Sequence, residues 1–258
     1  MVKALIFDCD GVIADTERFG HLPAFNQTFE EFGLPVHWSE EEYGVKLKIA
    51  GGKERMASLL TDEFVRLAQL PTDAEEQQKM LAEWHKRKTA IFKEIVQAGR
   101  LPGRPGIARI VDEAIANHWK LAIASTSAEE SVRAILEHVV GQDHATHFEI
   151  LAGDIIPKKK PAPDIYLLAL ERLQTAPEDA IVIEDSRNGL LAAVAAGLRC
   201  VVTLSSYTLD EDMQEAILVV SHLGDPDNPV RVIANRGEAS PGAYITLSDL
   251  EACLESSS

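Results

Sequence analysis

Four short apolar runs, each ending abruptly in a polar cluster, constrain this chain more than any other feature of it. Lys3 to Phe7 stops at Asp8-Cys9-Asp10-Gly11, Leu121 to Ala124 at Ser125-Thr126-Ser127, Ile181 to Ile183 at Glu184-Asp185-Ser186, and Cys200 to Thr203 at Leu204-Ser205-Ser206. Runs of this length bounded by turn formers read as buried strands. Helical patterns lie between them over Ile107 to Ala116, Glu129 to Val139, Asp164 to Leu173 and Gly189 to Ala196. Strands alternating with helices build a parallel sheet covered by helices, so the pattern predicts an α/β, Rossmann-like core. Such sheets bind ligands beyond the carboxyl ends of their strands. Asp8, Asp10, Ser125, Glu184 and Asp185 are therefore expected to gather there from distant segments.

The alternation stops from about Arg18 to Leu101, where the sequence is mostly helical with acidic faces. This stretch is expected to be a helical cap domain inserted after the first strand, covering 18–101, with the core made of 1–17 and 102–258. The hinges fall after Thr16 and in Leu101-Pro102-Gly103-Arg104-Pro105-Gly106, where Pro and Gly punctuate structure. Near the end, 224–242 is rich in Asp, Pro, Asn and Gly and reads as an irregular excursion before a last helix from Ser248 to Leu254. A chain of 258 residues has room for both domains.

Charge narrows the partners. A net charge of -16 repels nucleic acid and anionic lipid, so neither is an expected partner. An anionic small molecule stays open, because a bound cation or a local basic cluster can invert the potential inside one cleft. No apolar run is long enough to span a bilayer, and Val2 to Phe7 is too short for a signal-peptide core. A soluble, monomeric protein is expected, in the cytoplasm if bacterial or in the plastid stroma if a leader has been trimmed from a plant or algal chain. Cys9, Cys200 and Cys253 are odd in number and lack CxxC spacing, which excludes a disulfide framework and a zinc site.

Asp8 and Asp10 suit a divided task at a strand end: one carboxylate can attack phosphorus while the other protonates the leaving oxygen and later deprotonates water. Taken alone, two aspartates after a strand are as well explained by a solvated turn. Cys9 between them has no base near it in sequence, and neighbouring carboxylates raise a thiol pKa, so it reads as a small packing residue. Ser125 and Thr126 offer hydroxyl and backbone N–H donors, although Ser125 also fits as the N-cap of the following helix. In Lys158-Lys159-Lys160 the first two read as a solvated basic patch. Pro161 biases Lys160 toward extended backbone, which can throw its side chain into the site.

The run Asp8-Cys9-Asp10-Gly11-Val12-Ile13-Ala14-Asp15-Thr16-Glu17 matches the pattern DxDGVxxDTE, followed in order by Ser125, by Lys160 before Pro161 and by Glu184-Asp185. In these motifs the chain resembles the haloacid dehalogenase-like hydrolase superfamily, over residues 3 to about 205. The resemblance implies Asp8 as nucleophile and Asp10 as general acid and base. It implies Mg²⁺ held by Asp8, the Asp10 carbonyl and Asp185, with Glu184 directly bound or just behind. Ser125, Thr126, Ser127 and Lys160 would hold the phosphoryl group.

Within the cap, Gly51-Gly52-Lys53-Glu54-Arg55 and His85-Lys86-Arg87-Lys88-Thr89 stand out. Alone they read as a flexible loop and a solvated basic helix face. Together with Glu17 and His21 they resemble the CbbY-type sugar-bisphosphate phosphatases of photosynthetic, carbon-fixing organisms. That resemblance implies a phosphorylated sugar of the Calvin cycle, with xylulose 1,5-bisphosphate the leading candidate. Glu17, His21, Gly51, Gly52, Lys53, Arg55, His85 and Lys88 would then bind substrate, and Lys53, Arg55 and Lys88 are expected to lack partners until a second phosphate arrives. A β-phosphoglucomutase shares nearly all these motifs. A true dehalogenase needs no metal and no second acid, and a non-catalytic regulator would not keep both Asp8 and Asp10.

Overall fold

All four side chains of β1 (Ala4–Phe7) are buried, as a central strand covered on both faces requires. In this computed structural model, which describes residues 2–49, 51–153 and 155–255, the sheet continues through β2 (Lys120–Ala124), β3 (Phe148–Leu151), β4 (Ala180–Glu184), β5 (Arg199–Thr203), β6 (Leu218–Val220) and β7 (Val232–Asn235). The order is β3-β2-β1-β4-β5-β6-β7. Every pairing is parallel except β6 with β7. The chain runs outward from β1 to β3 on one side, then returns to lay β4, β5 and β6 on the other, so the switch lies between β1 and β4. Phe7 is level with Ile123 of β2 and Ile183 of β4. The residues that follow these strands therefore emerge at one edge of the sheet.

Ile6, Ala122, Val182 and Val202 pack on Tyr166, Leu170 and Leu173 of the helix Asp164–Leu173 and on Leu190 and Ala193 of the helix Arg187–Ala195. Each such Leu, Ile or Val contributes about 1.5–3 kcal/mol by leaving water. This is what fixes the strand ends firmly enough to carry a site.

Three strands depart from the expectation. β3 and β6 lie in segments whose sequence predicts no strand, and β7 falls inside 224–242, which reads from sequence as irregular. β7 pairs antiparallel at the sheet edge and leaves Val232 and Ile233 largely exposed, so it carries no inward face for a sequence pattern to reveal. The last helix spans Leu247–Glu255.

The chain divides into two compact units, Met1–Asp15 with Pro102–Ser258, and Thr16–Leu101. Thr16 and Glu17, assigned to the core from sequence, thus belong to the second unit. The physical reason is local: a π-helical turn over Glu17–His21 leads straight into the helix Leu22–Glu31. In the second unit Phe25 and Phe29 of that helix pack on Trp38, with ring centroids 5.1 and 4.8 Å away. The long helix Ala74–Gln97 buries Trp84, Lys88, Ile91 and Phe92. Its start is set by Asp73, whose side chain accepts from the N–H groups of Glu75 and Glu76. Among the described residues no helix is long and apolar enough to cross a membrane.

Candidate active site

The Met1–Asp15 and Pro102–Ser258 unit brings the charged residues of its strand ends onto one another. Asp8 continues β1, its backbone N–H donating to the Ile183 carbonyl at 2.9 Å. The chain then turns tightly, with Ile13 N–H on the Cys9 carbonyl and Gly11 N–H on the Ala14 carbonyl. Gly11 sits at φ +80°, and a Cβ there would lie 2.0 Å from Oδ2 of Asp185. Glycine is required twice over, by the backbone and by the carboxylate behind it.

Lys160 sends its ammonium into this cluster. Nζ donates to Oδ1 of Asp8 at 2.6 Å, to Oε1 of Glu184 at 2.6 Å and to the Ala124 carbonyl at 2.9 Å, which uses its three donors. Lys158 and Lys159 are exposed. Glu184 itself is 1% exposed. Besides Lys160, its Oε1 accepts from the Tyr166 hydroxyl at 2.6 Å, and its Oε2 accepts from the Asp185 N–H at 3.0 Å. A side chain at Gly189 would occupy the same space, its Cβ only 1.8 Å from Oε1.

The electrostatics follow from this crowding. Burial pushes the Asp8 carboxyl up to about 7; Lys160 draws it down, while Glu184 and Asp10 push it further up. Burial likewise raises Asp185 well above the usual carboxylate range, with Glu184 and Asp8 adding to it and the Ser205 hydroxyl and Arg104 opposing. Burial lowers the Lys160 pKa, but Asp8 and Glu184 more than offset it and keep the ammonium protonated. One ammonium among three buried carboxylates leaves an excess of negative charge.

That excess is the test of a metal. One oxygen from each of Asp8, Glu184 and Asp185 lies within 4.8 Å of the others. These are hard oxygen donors of the kind Mg²⁺ takes, and a divalent cation would relieve the repulsion that raises Asp8 and Asp185. Glu184 is already claimed by Lys160, Tyr166 and a backbone N–H, so Asp8 and Asp185 are the better direct ligands. The residues fit the ion.

Asp10 meets Ser127, whose hydroxyl donates to Oδ2 at 2.5 Å. Ser127, expected to face substrate, thus holds the second aspartate. Ser125 is 1% exposed, donates its N–H to the Leu151 carbonyl and accepts from Ser127 N–H on its hydroxyl oxygen. It does not cap the next helix: Ala128 occupies that position before Glu129–Val140, with no side-chain bond. Thr126 is exposed. Cys9 is fully buried, and burial with Asp10 and Asp8 alongside drives its thiol pKa well up, as a packing residue requires.

Arg104 and Tyr166 are two site residues that sequence reasoning misses. The Arg104 guanidinium donates to the carbonyls of Gly11, Thr203, Leu204 and Ser221, tying the loop after β1 to the ends of β5 and β6. Its signal is hidden in a Pro-Gly segment that reads as punctuation. Tyr166 reads as one more apolar position of its helix, because its hydroxyl partner lies 18 residues away.

The Thr16–Leu101 unit holds a cluster of its own, and it corrects the expectation of unpartnered cations. Arg55 lies 3.7 Å from Glu17, donates to the Tyr43 hydroxyl at 3.1 Å and to the Ile49 carbonyl at 3.0 Å. Tyr43, also missed, donates in turn to Glu17 at 2.5 Å. Lys88 is buried, not part of a solvated face; its Nζ meets Nδ1 of His21 at 2.8 Å and lies over the rings of Phe25 and Phe92. Burial first, then Lys88, Arg55 and His85, hold His21 well below the usual histidine pKa, so the neutral ring accepts from Lys88. Burial and Lys88 lower His85 in the same way. Gly51 precedes the helix Gly52–Ala57, in which Gly52 faces His85 and Lys53 is exposed. Arg87 is engaged by Glu31 and Glu94.

A family model for the haloacid dehalogenase-like hydrolases matches residues 2–197. The chain belongs to that family. Among relatives of this hydrolase, a CBBY-like protein of Arabidopsis thaliana is 47% identical over 87% of this chain and 70% of its own length. Protein CbbY of Rhodobacter capsulatus is 43% identical over 83% and 91%. The crystal structure of a CbbY mutant from Rhodobacter sphaeroides in complex with xylulose-(1,5)bisphosphate superposes with a TM-score of 0.69 at 38% identity, covering 86% of this chain and 95% of that one.

Proposed function

We propose that this hydrolase is a magnesium-dependent phosphatase that removes one phosphate from a small sugar bisphosphate through an aspartyl-phosphate on Asp8. The observation that carries the reading is the cluster of Asp8, Lys160, Glu184 and Asp185: a carboxylate poised beside one cation, in a pocket of charge that a second cation would complete. The R. sphaeroides CbbY complex with xylulose-(1,5)bisphosphate makes that sugar the first substrate to try.

In the reaction an Asp8 oxygen attacks phosphorus, the bond from phosphorus to the sugar oxygen breaks, and Asp10 gives its proton to the departing alkoxide. Asp10, now ionised, takes a proton from water as that water attacks the acyl-phosphate; inorganic phosphate leaves and Asp8 is restored. The Ser125 hydroxyl would hold a phosphoryl oxygen, and the Lys160 ammonium, already bonded to Asp8, would offset the charge of the transferring group. The Ser127 hydroxyl keeps Asp10 aimed between the two steps. Asp8, Asp185 and the Asp10 carbonyl would hold Mg²⁺, which would supply charge neutralisation where two anions must meet.

The second phosphate is assigned to the cations of the Thr16–Leu101 unit. Arg55 already has Glu17, so its free charge is smaller than the sequence implies, and exposed Lys53 becomes the better probe. Phosphate release from a panel of mono- and bisphosphorylated sugars tests the reading, with xylulose 1,5-bisphosphate expected to lead. Lys53→Ala is expected to lower kcat/KM for the bisphosphate by about tenfold, the scale of one charge-assisted hydrogen bond, and for a monophosphate by less than about twofold. Equal losses on both would remove Lys53 from the site. A wild-type preference for monophosphates would remove the bisphosphate assignment, and isomerised sugar phosphate without free phosphate would make the chain a mutase.

A further inference from the structure

We propose that Tyr166 is a positioning residue: its hydroxyl locks the Glu184 carboxylate, and Glu184 in turn holds Lys160 against Asp8. Its hydroxyl donates to Glu184 and not to Asp8, so the hydroxyl acts through its neighbour. This inference rests on the phosphoryl-transfer reading of the same site.

The geometry is specific. Tyr166 is fully buried on the inner face of the helix Asp164–Leu173, and its hydroxyl donates to Oε1 of Glu184 at 2.6 Å. The same oxygen accepts from Lys160 at 2.6 Å. Two donors on one oxygen fix its position along two directions, while the Asp185 N–H at 3.0 Å holds Oε2. Behind the carboxylate the backbone of Gly189 closes the space. Glu184 therefore has one orientation. Lys160 needs that constraint more than most lysines do, because a flexible chain brings a point charge to a site where small displacements cost rate. The Tyr166 ring also lies 4.9 Å from Nζ, so ring and hydroxyl act on the same ammonium, one directly and one through Glu184.

A phenylalanine would keep the ring, the packing and the contact of ring with Nζ. It would leave Oε1 with Lys160 as its one remaining donor among the described residues, and the buried carboxylate would gain by rotating toward that ammonium and drawing it in. That rotation moves Nζ off Asp8. The loss is that of a positioned charge and not of a reacting group.

Tyr166→Phe tests this. The melting temperature is expected to stay close to wild type, kcat to fall about 10- to 100-fold, the rate equivalent of a hydrogen bond to a charged group, and KM to change less than about twofold. Coupling is the discriminating readout. In a Glu184→Gln background the same Tyr166→Phe change is expected to cost less than about twofold, since the carboxylate it positions is gone. Losses that multiply across the two backgrounds would make Tyr166 an independent packing residue and overturn the proposal. A crystal structure of Tyr166→Phe tests the clamp without reference to turnover: Nζ of Lys160 is expected to lie beyond hydrogen-bond distance of Asp8. If Glu184 and Lys160 stay where they are, the proposal fails whatever the substrate proves to be. If wild-type protein hydrolyses no phosphate ester, the functional reading fails while the displaced Lys160 would still establish the clamp.

Discussion

Asp8→Asn is expected to lower kcat by about four orders of magnitude or more while leaving the protein folded. An amide nitrogen or oxygen cannot form the acyl-phosphate, and removing a nucleophile outright costs on this scale in other enzymes. The fold should tolerate the change because asparagine is isosteric and its oxygen can still accept from Lys160. Electrostatics favour it as well: burial holds the Asp8 carboxyl at about 7, so its site disfavours the ionised form and a neutral side chain removes one charge from beside Glu184 and Asp10. The melting temperature is expected to remain within about 3 °C of wild type, a shift of roughly one kcal/mol for a domain of this size. Steady-state phosphate release and thermal unfolding on the same preparation check both halves. Loss of activity with loss of fold would say nothing for a nucleophile, and activity retained within tenfold would sink that role.

Metal removal is expected to be nearly as severe. In excess chelator turnover should fall by at least about a thousandfold and return on adding Mg²⁺, because the buried carboxylates of Asp8, Glu184 and Asp185 would otherwise face an incoming phosphate with Lys160 as their one ammonium. Ca²⁺ is expected to restore little, since its larger and looser coordination shell would misplace carboxylate and phosphorus relative to one another. Asp185→Ala should raise the Mg²⁺ concentration needed for half-maximal rate by at least about tenfold. Full activity in chelator would refute the role assigned to the carboxylate cluster.

Much of this is legible in the sequence, for reasons that can be stated. β1, β2, β4 and β5 are buried on both faces and so read as continuous apolar runs that stop where the chemistry begins. Asp8, Lys160, Glu184 and Asp185 lie at or after those stops or beside a proline, and they meet in space. β3, with Glu149 exposed, β6, with three residues, and β7, largely exposed, carry no such signature. The misses at the site are all non-local. Nothing near Tyr166 in sequence announces Glu184, nothing near Arg104 announces the carbonyls of Thr203 and Ser221, and the pairing of Glu17 with Arg55 joins residues that a local pattern cannot connect. The cations of the Thr16–Leu101 unit look unpartnered in the sequence for the same reason. Composition counts charges, whereas folding chooses their partners.

The measurement that bears most directly on the central claim is the mass of the peptide containing Asp8 after a reaction with the sugar bisphosphate is quenched in acid. Asp10→Asn is the form to use, because phosphoryl transfer to Asp8 can proceed to some extent without an efficient proton donor, whereas removal by water needs the base. The account predicts one added phosphoryl group, located by fragmentation on Asp8 and absent when Mg²⁺ is withheld. A peptide that remains unmodified in Asp10→Asn while the wild-type enzyme releases phosphate, or a phosphoryl group found on any other residue, would contradict it.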